Sequence, residues 1–361
     1  MTTATISELQ RGNPKDKVYA SFGEIMLRLS SPGFERLFQS PRLDATFGGG
    51  EANVAVSLAL QGLKSRFVTL LPKNEIAESA LRMLKGYGVD TSKIVLVPGE
   101  RMGIYFMEKG ANQRPSRVIY DRLPSAISEM GPGSIDWDKA LSGCGWFHIT
   151  GITPALSKNT AEGATAAMEA AKKAGAVVSV DLNYRAKLWK YVDGSKGVIE
   201  VMDGLTRLSD VVIANEEDCQ KSLGIGTDID PGSGEIDEGR YERLAVEVLE
   251  RYPNVKLIAI TLRESVSASH NRWGAMLSDG KETIFSEKFD ITHIVDRVGG
   301  GDSFSAGLIY GLSHFSTLAD ALEYAVCASC LCHSIEGDMN LSTRDEIMAL
   351  FKGDKSGRIK R

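Results

Sequence analysis

From residue 146 onward the chain alternates short apolar runs with longer amphipathic stretches, and this alternation constrains the fold more than any other feature. Residues 146–149, 177–180, 211–214 and 257–261 each read as a buried strand, and the alanine-rich 161–174 reads as a helix between the first two. Upstream, 18–23 and 66–71 read as strands, while 54–60 and 76–87 read as helices, the first of them ended by Gly62. Strands apolar on both faces and separated by helices predict an α/β class with a mostly parallel central sheet covered on each side. In open sheets of this kind ligands settle beyond the carboxyl ends of the strands. Polar residues collect at those places: Asp181, Asn183 and Arg185 follow one strand, Asn215, Glu216 and Asp218 another, and Arg263 a third.

The rhythm breaks once. Residues 102–107 and 117–120 flank a polar turn at Gly110-Ala111-Asn112, which predicts an inserted hairpin. Both of its strands carry apolar or aromatic residues on both faces, so a flap over a ligand, a subunit contact, or both would account for it.

Near the carboxyl end stands Gly299-Gly300-Gly301-Asp302, followed by an apolar helical pattern through Phe304, Leu308, Ile309 and Leu312. Glycines at a helix start let a ligand approach backbone N–H groups that have no intrahelical partner, where the helix dipole adds positive potential. That makes an anion site, and a carboxylate beside it can accept a proton from an attacking hydroxyl. The alternative is that Asp302 only caps the helix and the glycines only make a tight connection. A second cluster, Gly48-Gly49-Gly50, precedes Asn53 and another helix, and close packing would equally explain it.

A net charge of −5, with no basic run besides the tail Arg358, Lys360 and Arg361, argues against a nucleic-acid partner. No apolar run reaches membrane-spanning length, so a membrane partner is not expected either. Residues 1–17 are polar, lack the apolar core of a secretory signal and are expected to be disordered. Five cysteines over 361 residues do not make a disulfide framework and fit a reducing, cytoplasmic setting. Cys327, Cys330 and Cys332 beside His333 lie in a helical pattern that turns Cys332 away from the other two, so they read as buried thiols rather than a zinc site. The acidic, glycine-rich stretch between 224 and 240 reads as a solvent loop, since its spacing does not match a calcium loop.

Taken together, Gly49-Gly50 with Asn53, the inserted hairpin, Asn215 with Asp218, and the Gly-Gly-Gly-Asp turn resemble the ribokinase (PfkB) family of carbohydrate kinases over nearly the whole chain after the tail. Within that family the chain is most similar to 2-keto-3-deoxygluconate kinases, on Tyr120-Asp121-Arg122, Asp181-Leu182-Asn183-Tyr184-Arg185, Leu188-Trp189, and Gly337-Asp338 with Asn340. The resemblance implies a ribokinase-like three-layer α/β/α fold. It would form a single kinase domain over 18–355 with a small β lid built from about 27–47 and 101–123. It implies transfer of a phosphoryl group from ATP to a sugar hydroxyl, with Asp302 as base and Gly299, Gly300 and Gly301 as anion hole. Gly49, Gly50, Asn53, Tyr105, Tyr120, Arg122, Arg185 and Asp338 would line the sugar site. Asn183, Asn215 and Arg263 would lie near the nucleotide phosphates, and Glu216 and Asp218 would act on Mg²⁺ through water. A homo-oligomer formed through the lid hairpin is expected, and a monovalent-cation requirement is left open.

Three positions depart from the family pattern. Asp218 replaces a Glu, Arg263-Glu264-Ser265 stands where a Gly-containing turn is usual, and Cys332 takes the place of a Lys found in some relatives. Arg185 separates the substrate readings, because guanidinium matches a sugar-acid carboxylate with two parallel hydrogen bonds and gains nothing from a neutral sugar. It could instead pair with Asp181 or serve the ATP phosphates. A kinase of a neutral sugar or nucleoside is the second reading, and a sugar-binding regulator without catalysis the third.

Overall fold

Side chains that alternate along the central strands split the hydrophobic core into two layers, as the pleat of a strand requires. Phe147, Val178, Val212 and Ile258 point into one layer, and their sequence neighbours Trp146, Val211 and Leu257 into the other. The computed structural model describes residues 4–11, 16–226 and 237–357. Most of the acidic 224–240 stretch and the basic residues Arg358, Lys360 and Arg361 lie outside them.

Among the described residues the main sheet has nine strands. Ser65–Val68, Val18–Phe22, Cys144–Thr150, Val177–Asp181, Val211–Ala214 and Leu257–Ser267 run parallel in that spatial order. His270–Ser278 returns antiparallel beside the last of them, and Thr283–Phe285 and Phe289–Ile291 pair with it. One layer of helices includes Lys158–Lys173, Gly194–Thr206 and Glu238–Arg251; the other includes Gly50–Leu60, Gly300–His314 and Leu318–Cys332. This is the three-layer α/β/α arrangement that the alternation predicts.

A separate four-stranded sheet has the order Asp44–Gly48, Met26–Ser30, Ile104–Glu108, Arg117–Asp121. It stands over the carboxyl ends of the parallel strands and frames the cleft described below. Gly300–His314 is buried along nearly its whole length. It can be so because Gly307 and Gly311 face Leu318–Cys332 at close range: a Cβ on either would stand 2.8 Å from the Cα of Ala325 or Ala321.

Two expectations change. The strand expected to end near Thr261 runs to Ser267, because His270–Ser278 supplies a ladder for its polar half, and no Gly-type turn interrupts it at Arg263-Glu264-Ser265. The amino-terminal stretch expected to be disordered contains the helix Ala4–Gln10. Its Ile6 and Leu9 are 0% and 1% exposed in the layer that holds Gly300–His314. The Gln10 amide donates to the carbonyls of Leu312 and Phe315, each at 2.9 Å, capping the far end of that helix. No helix among the described residues is long and apolar enough to cross a membrane. Leu9→Ala is expected to lower stability by about 2–4 kcal/mol, the range for a buried leucine leaving a partial cavity. Urea unfolding read by circular dichroism checks this, and an unchanged midpoint would return the segment to a dispensable tail.

Candidate active site

A cleft of about 710 Å³ opens between the small sheet and the carboxyl ends of the parallel strands. The Gly299–Gly301 turn forms one wall. Gly299 adopts φ 80°, and a Cβ there would overlap the carbonyl of Asp338, so only glycine fits. A Cβ on Gly300 would point into the protein, 2.9 Å from the His333 ring, whereas on Gly301 it would meet nothing within 4 Å. Gly301 is therefore the residue whose surface opens to the cleft, and the helix that starts at Gly300 directs its free N–H groups there.

Asp302 is 9% exposed and accepts a 2.7 Å hydrogen bond on Oδ2 from the Asn53 amide. Burial pushes its carboxyl up to about 6, against the pull of Asn53 and of the Arg185 charge. Asn53 Oδ1 in turn accepts the Gly49 N–H at 3.2 Å, and a Cβ on Gly50 would stand 3.5 Å from Asp302 Oδ1. The Gly49-Gly50-Asn53 group thus packs on Asp302 and orients it, and the same three residues line the cleft. Beneath it, Glu51 Oε1 accepts from the Thr150 N–H at 3.0 Å, the Thr150 hydroxyl at 2.8 Å and the Thr153 hydroxyl at 2.7 Å. These bonds fasten the start of Gly50–Leu60 to the end of Cys144–Thr150. Burial raises Glu51 to about 7 in spite of them.

Several expected ligand groups are already engaged. Asp338 accepts from the guanidinium of the fully buried Arg28 and, at 2.5 Å, from the Tyr105 hydroxyl. The second side of Arg28 donates to Asp296 Oδ2 at 2.5 Å. Arg122 pairs with Glu24, which also accepts from Ser125 at 2.8 Å, and its guanidinium lies 5.6 Å from the centre of the Tyr120 ring. So Arg122 lines the cleft as part of an ion pair with Glu24, and Asp338 ties the small sheet to the turn. Tyr120 remains 41% exposed at the cleft edge.

On the opposite side, Asn215 and Asp218 form a capping box. Asn215 Oδ1 accepts the Asp218 N–H at 2.8 Å, and Asp218 Oδ2 accepts the Asn215 N–H at 3.2 Å. Asp218 Oδ1 also takes the Tyr184 N–H at 2.8 Å, so each of its oxygens holds a backbone group while the residue lines the cleft where the sequence places a water-mediated Mg²⁺ ligand. Glu216, half-buried and hydrogen-bonded to Tyr241, and the exposed Glu217 both line the cleft. Asn183 sits at φ 36° with its Oδ1 buried and unpartnered beside the cleft. Arg185 is exposed and makes one side-chain hydrogen bond, 2.8 Å to the Tyr184 carbonyl, so the alternative of a salt bridge to Asp181 is not realised. Arg263 lines the same cleft. The sequence reading missed Arg28, Glu24 and Glu51. For Arg28 a signal existed, a lone charge inside Ile25-Met26-Leu27-Arg28-Leu29, a stretch that alternates as a strand.

The turn, the buried acid and the cleft are those of a phosphoryl-transfer fold, and the chain belongs to the pfkB family of carbohydrate kinases, whose model matches residues 17–344. A solved 2-dehydro-3-deoxygluconokinase from Thermotoga maritima is 45% identical and superposes with a TM-score of 0.87, covering 93% of this chain and 100% of that one. A 2-dehydro-3-deoxygalactonokinase from Haloferax volcanii is 28% identical over 337 residues, 93% of this chain and 97% of its own length. A 2-dehydro-3-deoxygluconokinase from Bacillus subtilis is 24% identical over 337 residues, 93% of this chain and 96% of its own. The chain is accordingly a carbohydrate kinase.

Arg28→Met leaves Asp296 and Asp338 buried without their cation and is expected to cost about 3–5 kcal/mol, the range for breaking a buried pair by removing one partner. Equilibrium denaturation would measure it, and a loss below 1 kcal/mol would show that the two carboxylates find other partners or become protonated without penalty.

Proposed function

We propose that this carbohydrate kinase transfers the terminal phosphoryl group of ATP to a hydroxyl of a 2-keto-3-deoxygluconate-type sugar acid. The observation that carries the transfer is Asp302, a buried carboxylate held by Asn53 at the start of a helix whose glycine turn faces the cleft. Asp302 takes the proton of the attacking hydroxyl, and the N–H groups of Gly299–Gly301 meet the charge that develops on the transferred group. Asn183 and Asn215 stand on the nucleotide side. Mg²⁺ would neutralise phosphate charge, held by Glu216 through water, while Asp218 shapes the loop that presents Glu216. The small sheet acts as the lid. Ile119 and Tyr120, 55% and 41% exposed on its edge strand, support it also as the face on which a second copy would pack.

Asp302 must be ionised to act. Its pKa near 6 therefore predicts that kcat/KM is at full value above neutral pH and falls as pH drops through about 6. Asn53→Ala removes a bond that favours the charged form and should move this limb to higher pH. Asp302→Asn should lower kcat by roughly 10²–10⁴. Steady-state rates across pH 5–9 decide it: near-normal turnover of the Asn variant would take Asp302 out of the chemistry.

Arg185 supports an acid as acceptor, because Arg28 and Arg122 are held in ion pairs, whereas Arg185 makes none within 4.0 Å among the described residues and acts on Asp181, Asp218 and Asp302 only from farther away. Arg185→Ala should reduce kcat/KM for the acid by roughly 10–100-fold, the value of a charged hydrogen-bonded pair. The loss should be much smaller for the analogue with the carboxylate reduced to an alcohol. A kinase of a neutral sugar, with Arg185 serving phosphates, is the second reading. Equal losses for acid and alcohol at saturating ATP would select it.

A further inference from the structure

Beside the glycine turn stand two guanidinium groups that make no ion pair within 4.0 Å among the described residues, Glu216 and Asp296 acting on them only from farther away. Arg297, two residues before Gly299, is half-buried and lines the cleft. Its Nη2 donates to the carbonyls of Ser267 at 3.1 Å and Ala268 at 3.2 Å, and to Asn271 Oδ1 at 3.3 Å. All three acceptors belong to the tip of the hairpin formed by Leu257–Ser267 and His270–Ser278. No carboxylate lies within 4.0 Å of this guanidinium among the described residues, and its Nε is buried without a partner. Arg263 lies on the first strand of the same hairpin and lines the same cleft. Its side chain makes no hydrogen bond or ion pair among the described residues.

The three acceptors on Arg297 are neutral. They fix the direction of the planar fork and leave its charge opposed by the adjacent Asp296, which is itself paired with Arg28, so the fork stays free to take an anion. Burial, and then the charge of Arg263, lower the Arg297 pKa, so the two cations repel across one cleft. An anion lying between them relieves that repulsion and recovers the cost of partial burial. The chain itself sets where the anion must be, since Arg297 leads directly into the turn whose N–H groups face the cleft.

We infer that Arg297, together with Arg263, binds the non-transferred phosphates of a nucleoside di- or triphosphate whose terminal phosphate meets the Gly299–Gly301 turn. The inference rests on the reading of that turn as a phosphate site and adds the residues that distinguish a polyphosphate from a nucleoside.

The test is calorimetric titration of the full-length protein with ADP and with adenosine, at low and moderate NaCl, for wild type, Arg297→Met and Arg297→Lys. Arg297→Met should weaken ADP about tenfold or more, flatten its salt dependence, and change adenosine less than twofold. Arg297→Lys should recover part of the ADP affinity, because charge returns without the fork. Unchanged ADP binding in the Met variant overturns the inference. Equal losses for ADP and adenosine also overturn it, since they mark Arg297 as a strut between hairpin and turn. If Arg297→Met does not fold, Arg297→Lys decides by the same comparison: selective weakening of ADP supports the assignment, and parallel or absent weakening rejects it. A wild type that binds no ADP would instead overturn the phosphate reading of the turn, and this inference with it, whereas a wild type that binds ADP beside variants of equal affinity removes Arg297 alone.

Discussion

A guanidinium without access to water holds the two parts of this molecule together. Arg28, on the small sheet, is 1% exposed and reaches Asp296 before the glycine turn and Asp338 after the last long helix, while its Nε donates to Ser30 at 2.7 Å. Burying such a charge is unfavourable unless every donor is matched, so the pairing tolerates one relative placement of sheet and turn. The remaining geometry follows from it. Asp296 Oδ1 accepts the N–H groups of Arg297 and Val298 at 2.8 and 3.2 Å, shaping the approach to Gly299. The Asp338 carboxylate occupies the space where a Cβ on Gly48 would lie, and its carbonyl the space of one on Gly299. Those glycines are required by packing on Asp338 before any ligand is considered.

This explains what could be read in the chain and what could not. Strand periodicity is local, so the parallel sheet, its helices and the inserted hairpin were legible from alternation alone. The helix Ala4–Gln10 was not, because seven residues with Ile6 and Leu9 as buried anchors carry little local signal and depend on the layer beneath. Likewise the polar end of Leu257–Ser267 is a strand only because His270–Ser278 lies beside it.

In the site, residue types after the strands were legible and their partners were not. Arg28 meets Asp338 from 310 positions away and Arg122 meets Glu24 from 98, distances over which no sequence pattern operates. The consequence is specific. Arg122, Asp218 and Asp338, which the family resemblance gives to ligands, line the cleft and each also holds a neighbouring part of the protein. Arg185, Arg263 and Arg297 make no ion pair within 4.0 Å among the described residues and face the cleft, acting on nearby carboxylates only from farther away.

That division gives the cleft an electrostatic polarity suited to its proposed chemistry. Asp181, Asp218 and Asp302 lie on its floor, and burial is the first cause of the raised pKa of each. The enclosure that strengthens every charge interaction in the cleft therefore also makes the base reluctant to ionise. A carboxylate at its ordinary value would be a weak proton acceptor, and one raised well above neutrality would be protonated and useless. The single bond from Asn53 opposes burial and leaves Asp302 near 6, ionised at neutral pH yet more basic than an exposed aspartate. Arg185 pulls in the same direction, so a carboxylate that neutralised it would remove part of that pull. On this reading an acidic substrate would raise the basicity of Asp302 as it binds, and substrate recognition and base strength would be coupled through one arginine.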